Sequence, residues 1–177
     1  MVAVFGSSRP KPGSLAYQTA YELGQALGRA GFQVANGGYG GTMAAVSRGA
    51  REQGARVIGV TCRAFGRSGP NQWLDEEICT SDLNERLQRL IGLGAAYLVL
   101  PGGTGTLVEL ALCWELINKG FLPERPIICL SDYWKAVIDT IVRAGENHLA
   151  RVQVARDCQE TLAILSDYFR DHETDDK

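Results

Sequence analysis

The sequence predicts an α/β fold, a doubly wound and mainly parallel sheet with helices on both faces, and three observations predict it. Short apolar runs alternate along the chain with stretches of helical spacing. Three of those runs end in glycine-bearing turns, at 6–13, 37–41 and 102–105. With 177 residues, 45% of them hydrophobic and 21% charged, the chain is also long enough to bury a substantial core.

The elements follow in order. Val2–Phe5 is short and apolar and reads as the first strand. After the loop 6–13, Ser14 is a candidate cap for a helix running to Ala30, with Gly31 as its stop. A second strand over 32–35 leads through Asn36 and the glycines to a helix over 42–53, then to a third strand over 56–61. Residues 62–76 are the least regular part, where Gly66, Gly69 and Pro70 space out Arg63, Arg67 and Trp73. A short strand is expected over 77–80, a helix from Ser81 or Asp82, a buried strand over 95–100 and a helix over 104–119. The remainder reads as a strand over 126–130, a helix over 132–146 and a last helix over 158–170, with Asp157 as its N-cap. Residues 1–170 thus form one domain in this reading, and 171–177 are a polar tail.

The stretch 98–109, Leu-Val-Leu-Pro-Gly-Gly-Thr-Gly-Thr-Leu-Val-Glu, carries most of the chemistry. A strand that turns sharply into a helix aims backbone N–H groups at one point, and the helix dipole adds positive potential there. Such a site suits a phosphate. Glu109, about one turn into that helix, is badly placed beside an anion unless it faces something cationic or a water to be activated. The three glycine turns follow three strands, and in a doubly wound sheet the C-terminal strand ends share one edge, so the turns can converge.

Each candidate also has a plainer reading. Thr106-Leu-Val-Glu109 fits a capping box in which Glu109 serves only the helix start. Asp82-Leu-Asn-Glu85 has the same form, and Arg86 reads equally as a solvated helix-face charge. The glycines at 37–41 could make a tight turn with no ligand. Gly103 and Gly105 are harder to dismiss, because glycine is disfavoured at a helix start unless backbone must turn or approach a ligand.

Several function classes are disfavoured. A net charge of −2 and a pI near 5.7 argue against nucleic acid as a partner. No apolar segment approaches the roughly 20 residues that cross a bilayer, and the N-terminus reads as a strand rather than a signal peptide. The 5 cysteines, Cys62, Cys79, Cys113, Cys129 and Cys158, are widely spaced; reduced thiols in packing roles and a cytoplasmic location are expected. His148 and His172 have no ligand-spaced partner, so no metal is expected. The sequence lacks G-x-S-x-G and the G-x-G-x-x-G fingerprint with its later acid. None of the four lysines lies in a recognisable cofactor context, and no cofactor is implied.

Taken together, these residues resemble the Lonely Guy (LOG) family of nucleoside 5'-monophosphate phosphoribohydrolases, formerly labelled lysine decarboxylases. The family's P-G-G-x-G-T-x-x-E stands unbroken from Pro101 to Glu109, and its G-G-x-x-G-x-M matches from Gly37 through Gly38 and Gly41 to Met43. Its opening G-S-S matches Gly6, Ser7 and Ser8, and Arg86 stands where the family has its catalytic arginine. The resemblance covers about residues 2–145. It departs from the family at Thr42, where leucine is usual, around Arg86, where the family has Met-His-Glu-Arg-Lys, and over residues 62–76, which follow no family pattern and are expected to face the base.

That resemblance implies a Rossmann-like fold and cleavage of the N-glycosidic bond of a purine nucleoside 5'-monophosphate, with an N6-substituted, cytokinin-type adenine among the candidate bases. It implies Glu109 and Arg86 as the catalytic pair. Gly102, Gly103, Thr104, Gly105 and Thr106 would grip the phosphate, with Gly38, Gly41, Met43, Ser7 and Ser8 also on the substrate side. A homodimer is implied as well. The helix from Thr106 adds a motive, because Leu107, Leu110 and Ala111 can face the sheet while Val108, Leu112 and Ile117 need other cover. The competing expectation is a non-catalytic carrier of a phosphorylated ligand, since molybdenum-cofactor carrier proteins are similar in general layout.

Overall fold

The structure, a computed structural model, describes residues 1–66, 69–144 and 152–172. Its strands are β1 (Val2–Phe5), β2 (Val34–Asn36), β3 (Val57–Cys62), β4 (Glu76–Thr80), β5 (Ala96–Val99), β6 (Ile127–Leu130) and β7 (Val152–Ala155). The helices are α1 (Leu15–Arg29), α2 (Thr42–Glu52), α3 (Leu83–Leu93), α4 (Thr104–Asn118), α5 (Lys135–Arg143) and α6 (Cys158–His172). One-turn 3-10 helices at Arg63–Phe65 and Asp132–Trp134 follow β3 and β6. Every strand pair is parallel, in the order β4-β3-β2-β1-β5-β6-β7. This is the expected doubly wound α/β sheet.

Central strands are mostly apolar because both of their faces are covered. Val2 and Val4 of β1 pack with residues of α1, α2 and α6. Ala3 and Phe5, pointing the other way, pack with residues of α3, α4 and α5. The chain winds outward from β1 to β4, and α3 then returns it to β5 on the other side of β1. The strand order therefore reverses between β1 and β5, where ligands bind in such sheets. The turns after β1 and β5 leave the sheet at this point, beside the turn after β2.

Helices α1 and α2 hold two of those turns together. They approach so closely that a Cβ on Gly24 would strike the Val46 carbonyl and one on Gly49 the Tyr21 carbonyl. Ser14 caps α1 by accepting from the Tyr17 N–H, and Asp157 accepts from Glu160 N–H at the start of α6.

Several boundaries differ from expectation. β2 begins at Val34 rather than 32, because Phe32 leaves the ladder to pack on Phe169, with ring centres 5.5 Å apart. It ends on buried Asn36, whose side chain donates to Ser47 and accepts from Gly38 N–H. The strand β7 was not foreseen: at the sheet edge it is only partly buried and carries polar Gln153, so it lacks an apolar run. The expected helix over 132–146 is a 3-10 turn followed by α5. Ser131 takes a φ of 71° and its hydroxyl caps Tyr133 N–H, redirecting the chain first. Helix α6 runs through His172, past the expected boundary at 170. Residues 145 and 146, Arg67, His148 and 173–177 lie outside the described residues.

Candidate active site

A cleft of about 910 Å³ opens at the switch point, lined by the turns after β1, β2 and β5 and the starts of α3 and α4. The turn after β5 supplies Gly102, Gly103, Thr104, Gly105 and Thr106, all of which line it. The first intrahelical bond of α4 runs from Leu107 N–H to the Gly103 carbonyl, so the N–H groups before it have no partner within the helix. A Cβ on Gly103 or Gly105 would meet nothing within 4 Å. Packing does not demand these glycines; they leave the helix start open to the cleft. Thr104 is exposed there and Thr106 is buried against Gly102.

Glu109 lies in the second turn of α4 and is 5% exposed. The capping-box reading fails for it: α4 starts at Thr104, its N-cap is Gly103, and no side chain caps it. Instead Glu109 Oε1 accepts from Arg86 Nη1 at 3.0 Å. By contrast, the box read at Asp82 forms in a shifted version, with Glu85 bonding Ser81 rather than the Asp82 N–H. Asp82 accepts from Asn84 and Glu85 N–H, while Glu85 reaches back to the Ser81 N–H and hydroxyl. That box sets the first turn of α3, from which Arg86 points into the protein rather than into solvent.

Arg86 is 6% exposed and is held from behind, its Nε donating to the Val60 carbonyl at 2.9 Å. The guanidinium lies against the turn after β2, where a Cβ on Gly37 would collide with Arg86 Nη2 and approach Met43 Sδ to 2.6 Å. The double glycine is thus explained in part by the arginine it must admit. Burial pushes the Glu109 carboxyl above the usual carboxylate range, against the opposing pull of Arg86. A buried carboxylate and guanidinium, fixed on the wall of a cleft, can act on developing charge with little reorganisation.

The remaining expected residues divide in two. Ser7, Ser8 and Met43 line the cleft; Gly38 and Gly41 do not and shape the turn behind it. Gly41 caps α2 at a φ of 68°, and a Cβ there would strike the Ser7 carbonyl, which accepts from both Thr42 N–H and Thr42 Oγ1. The turns after β1 and β2 are therefore locked to each other.

Arg9, Tyr39, Leu83 and Tyr133, which the sequence does not single out as site residues, also line the cleft, as does Phe65 from the irregular stretch 62–76 expected to face the base. Tyr133 donates its hydroxyl to the Gly102 carbonyl at 2.9 Å, and Trp134 Nε1 donates to Leu100 at 3.0 Å. The turn after β6 therefore ties down both sides of Pro101. Nothing in the spacing of residues 131–134 marks them as partners of a loop some thirty positions earlier.

A doubly wound sheet whose glycine turns meet beside a buried carboxylate–guanidinium pair defines a Rossmann-like protein with a ligand cleft at its switch point. The chain belongs to the SLOG cluster4 family, whose model matches residues 1–162. It is 27% identical to a cytokinin riboside 5'-monophosphate phosphoribohydrolase of Rhodococcoides fascians, covering 93% of this chain and 88% of that one. A protein of the same name from Mycobacterium tuberculosis is 35% identical, over 75% of this chain and 71% of its own. A structural-genomics protein of solved structure superposes with a TM-score of 0.79 at 27% identity, over 94% of this chain and 98% of that one. The molybdenum cofactor carrier protein of Chlamydomonas reinhardtii superposes at 0.75 and 23% identity, over 96% and 97%, a likeness of fold alone.

Proposed function

We propose that the protein hydrolyses the N-glycosidic bond of a purine nucleoside 5'-monophosphate to free base and ribose 5-phosphate. The observation that carries this reading is the buried Glu109–Arg86 pair sharing one cleft with the open N-terminus of α4. The names of the relatives agree with it. In this mechanism the 5'-phosphate sits on the N–H groups at the start of α4 and on the hydroxyls of Thr104 and Thr106. Water adds to the anomeric carbon as the carbon–nitrogen bond breaks, and the base leaves with a proton. Glu109 opposes the positive charge that builds on the sugar, or takes the proton of the attacking water. Arg86 orients Glu109 and reaches a sugar or phosphate oxygen. Incubation with a panel of nucleoside monophosphates, followed by chromatography of free base, tests this; a panel that yields no base would leave the carrier reading in place.

The finer reading is a cytokinin-type or plain adenine nucleotide as substrate, a cytoplasmic location and no nucleic-acid partner. The net charge of −2 supports the last. The cysteines are free, as a reducing compartment keeps them. Cys62, Cys113 and Cys129 are buried, with burial pushing the Cys129 thiol up to about 12, whereas Cys79 is exposed rather than packed. Among the described residues no helix is long and apolar enough to cross a membrane.

A homodimer belongs to the same proposal, and the residues left uncovered match the expectation in part: Val108 is open as expected, whereas Ile117 is not. Ile117 is buried in the chain's own core and Ala111 is exposed. Leu83 and Val108 are among the apolar side chains left open beside the cleft, at 45% and 42% exposure. Light scattering should give about twice the 19.2 kDa chain mass; the single-chain mass would remove the dimer.

The raised Glu109 pKa has a pH consequence. If the ionised carboxylate is the working form, kcat/KM falls as pH drops through the raised value, so the acid limb lies above the ordinary carboxylate range. For stability the sign is opposite: as pH rises the unfolded chain ionises Glu109 first, so folding weakens between the ordinary and the raised pKa. A pH–rate profile and urea midpoints across that window check both, and Glu109→Gln should lack this component of the stability change.

A further inference from the structure

We infer that Phe65, braced by Tyr39, is the stacking platform for the base and sets the preference for a purine; this rests on the nucleotide reading above. Tyr39 leaves the turn after β2 and is only 6% exposed. Its hydroxyl donates to the Cys62 carbonyl at 3.0 Å and accepts from the Cys62 N–H at 2.8 Å. Both polar groups of that residue are thus fastened to one side chain, which fixes the end of β3. The 3-10 turn Arg63–Phe65 begins there. It presents the Phe65 ring 6.1 Å from the Tyr39 ring, tilted by 38°. Phe65 lines the cleft and remains 38% exposed.

The order of groups along the cleft matches the order of parts in a nucleotide. The N-terminus of α4 suits the phosphate. Glu109 is five residues further along the same helix, about 7.5 Å at 1.5 Å per residue, where the sugar would lie. Arg86 donates to Glu109, and its guanidinium carbon lies over the Phe65 ring, 5.7 Å from its centre. A base projecting from the anomeric carbon past the Glu109–Arg86 pair meets this ring. Scattered exposed phenylalanines are ordinary on protein surfaces. Phe65 differs because two partners fix its position and its open part faces a cleft built for the rest of the ligand. The fused rings of a purine cover more of the phenyl than a single pyrimidine ring, and stacking of this kind is tolerant of ring substituents.

The test uses the Glu109→Gln protein, so that nucleotide is not consumed, and titration calorimetry with AMP and with ribose 5-phosphate. Adding Phe65→Ala or Phe65→Leu should weaken AMP about tenfold or more. Phe65→Trp should restore it, and ribose 5-phosphate, which has no base, should bind all of them equally. Unchanged AMP affinity in Phe65→Ala, or a parallel loss for ribose 5-phosphate, overturns the platform. If AMP binds through Phe65 but the unmodified protein releases no base, the platform stands and the hydrolase reading falls. If base is released at a KM indifferent to Phe65→Leu, the reverse holds. A protein that binds neither AMP nor any other purine nucleotide overturns both.

Discussion

Replacing Glu109 by Gln lowers turnover about 100-fold or more while the protein stays folded. The substitution keeps the shape of the side chain and an oxygen able to accept from Arg86 Nη1, the bond that spans α3 and α4. What it removes is the negative charge. That charge either opposes the cation forming on the sugar or draws a proton from water, and general-base or electrostatic assistance of this kind is worth about 100-fold to 10,000-fold. The stability cost is small, within about 2 kcal/mol, because losing the ion pair is offset by no longer burying a carboxylate. Glu109→Ala behaves differently: it leaves Arg86 Nη1 buried with neither a counter-charge nor an acceptor and costs about 3–5 kcal/mol. Thermal unfolding beside a turnover assay separates the two effects. A Gln variant that unfolds early yet turns over normally would make Glu109 a structural residue only.

Removal of the 5'-phosphate from the substrate should reduce kcat/KM by a comparable factor. Two charge-assisted bonds to the start of α4, at about 1.5 kcal/mol each, amount to about 100-fold. Part of that loss should appear in kcat, since binding energy remote from the bond being cleaved positions it for cleavage. The comparison is between a nucleoside monophosphate and its nucleoside under identical conditions. Equal rate constants would mean that the open helix start and its unforced Gly103 and Gly105 do not hold a phosphate.

The winding of the sheet was legible because its determinants are local. Strands buried on both faces must be apolar, and glycine turns mark their C-terminal ends. The convergence of the turns after β1, β2 and β5 follows from the topology alone. What the sequence hid is long-range. The motifs at 82–85 and 106–109 look alike as capping boxes, yet only the first is one. Where α4 actually begins decides the matter, and that depends on Gly103 taking the cap position. The role of Gly37 is equally silent in one dimension, because the group it makes room for comes from α3. Tyr133 reaches the cleft from a turn whose local sequence shows only irregular chain. β7 escaped notice because an edge strand needs little apolar surface.

A cleft that breaks a glycosidic bond, rather than merely holding a nucleotide, must consume its ligand. The most direct measurement is a product balance on AMP or an N6-substituted AMP, with free base and ribose 5-phosphate quantified together by chromatography. The two products should appear in equal amounts, rising together with time, and form about 100-fold or more slowly with the Glu109→Gln protein. Nucleoside with inorganic phosphate as the products, or intact nucleotide after prolonged incubation with bound ligand, would contradict it.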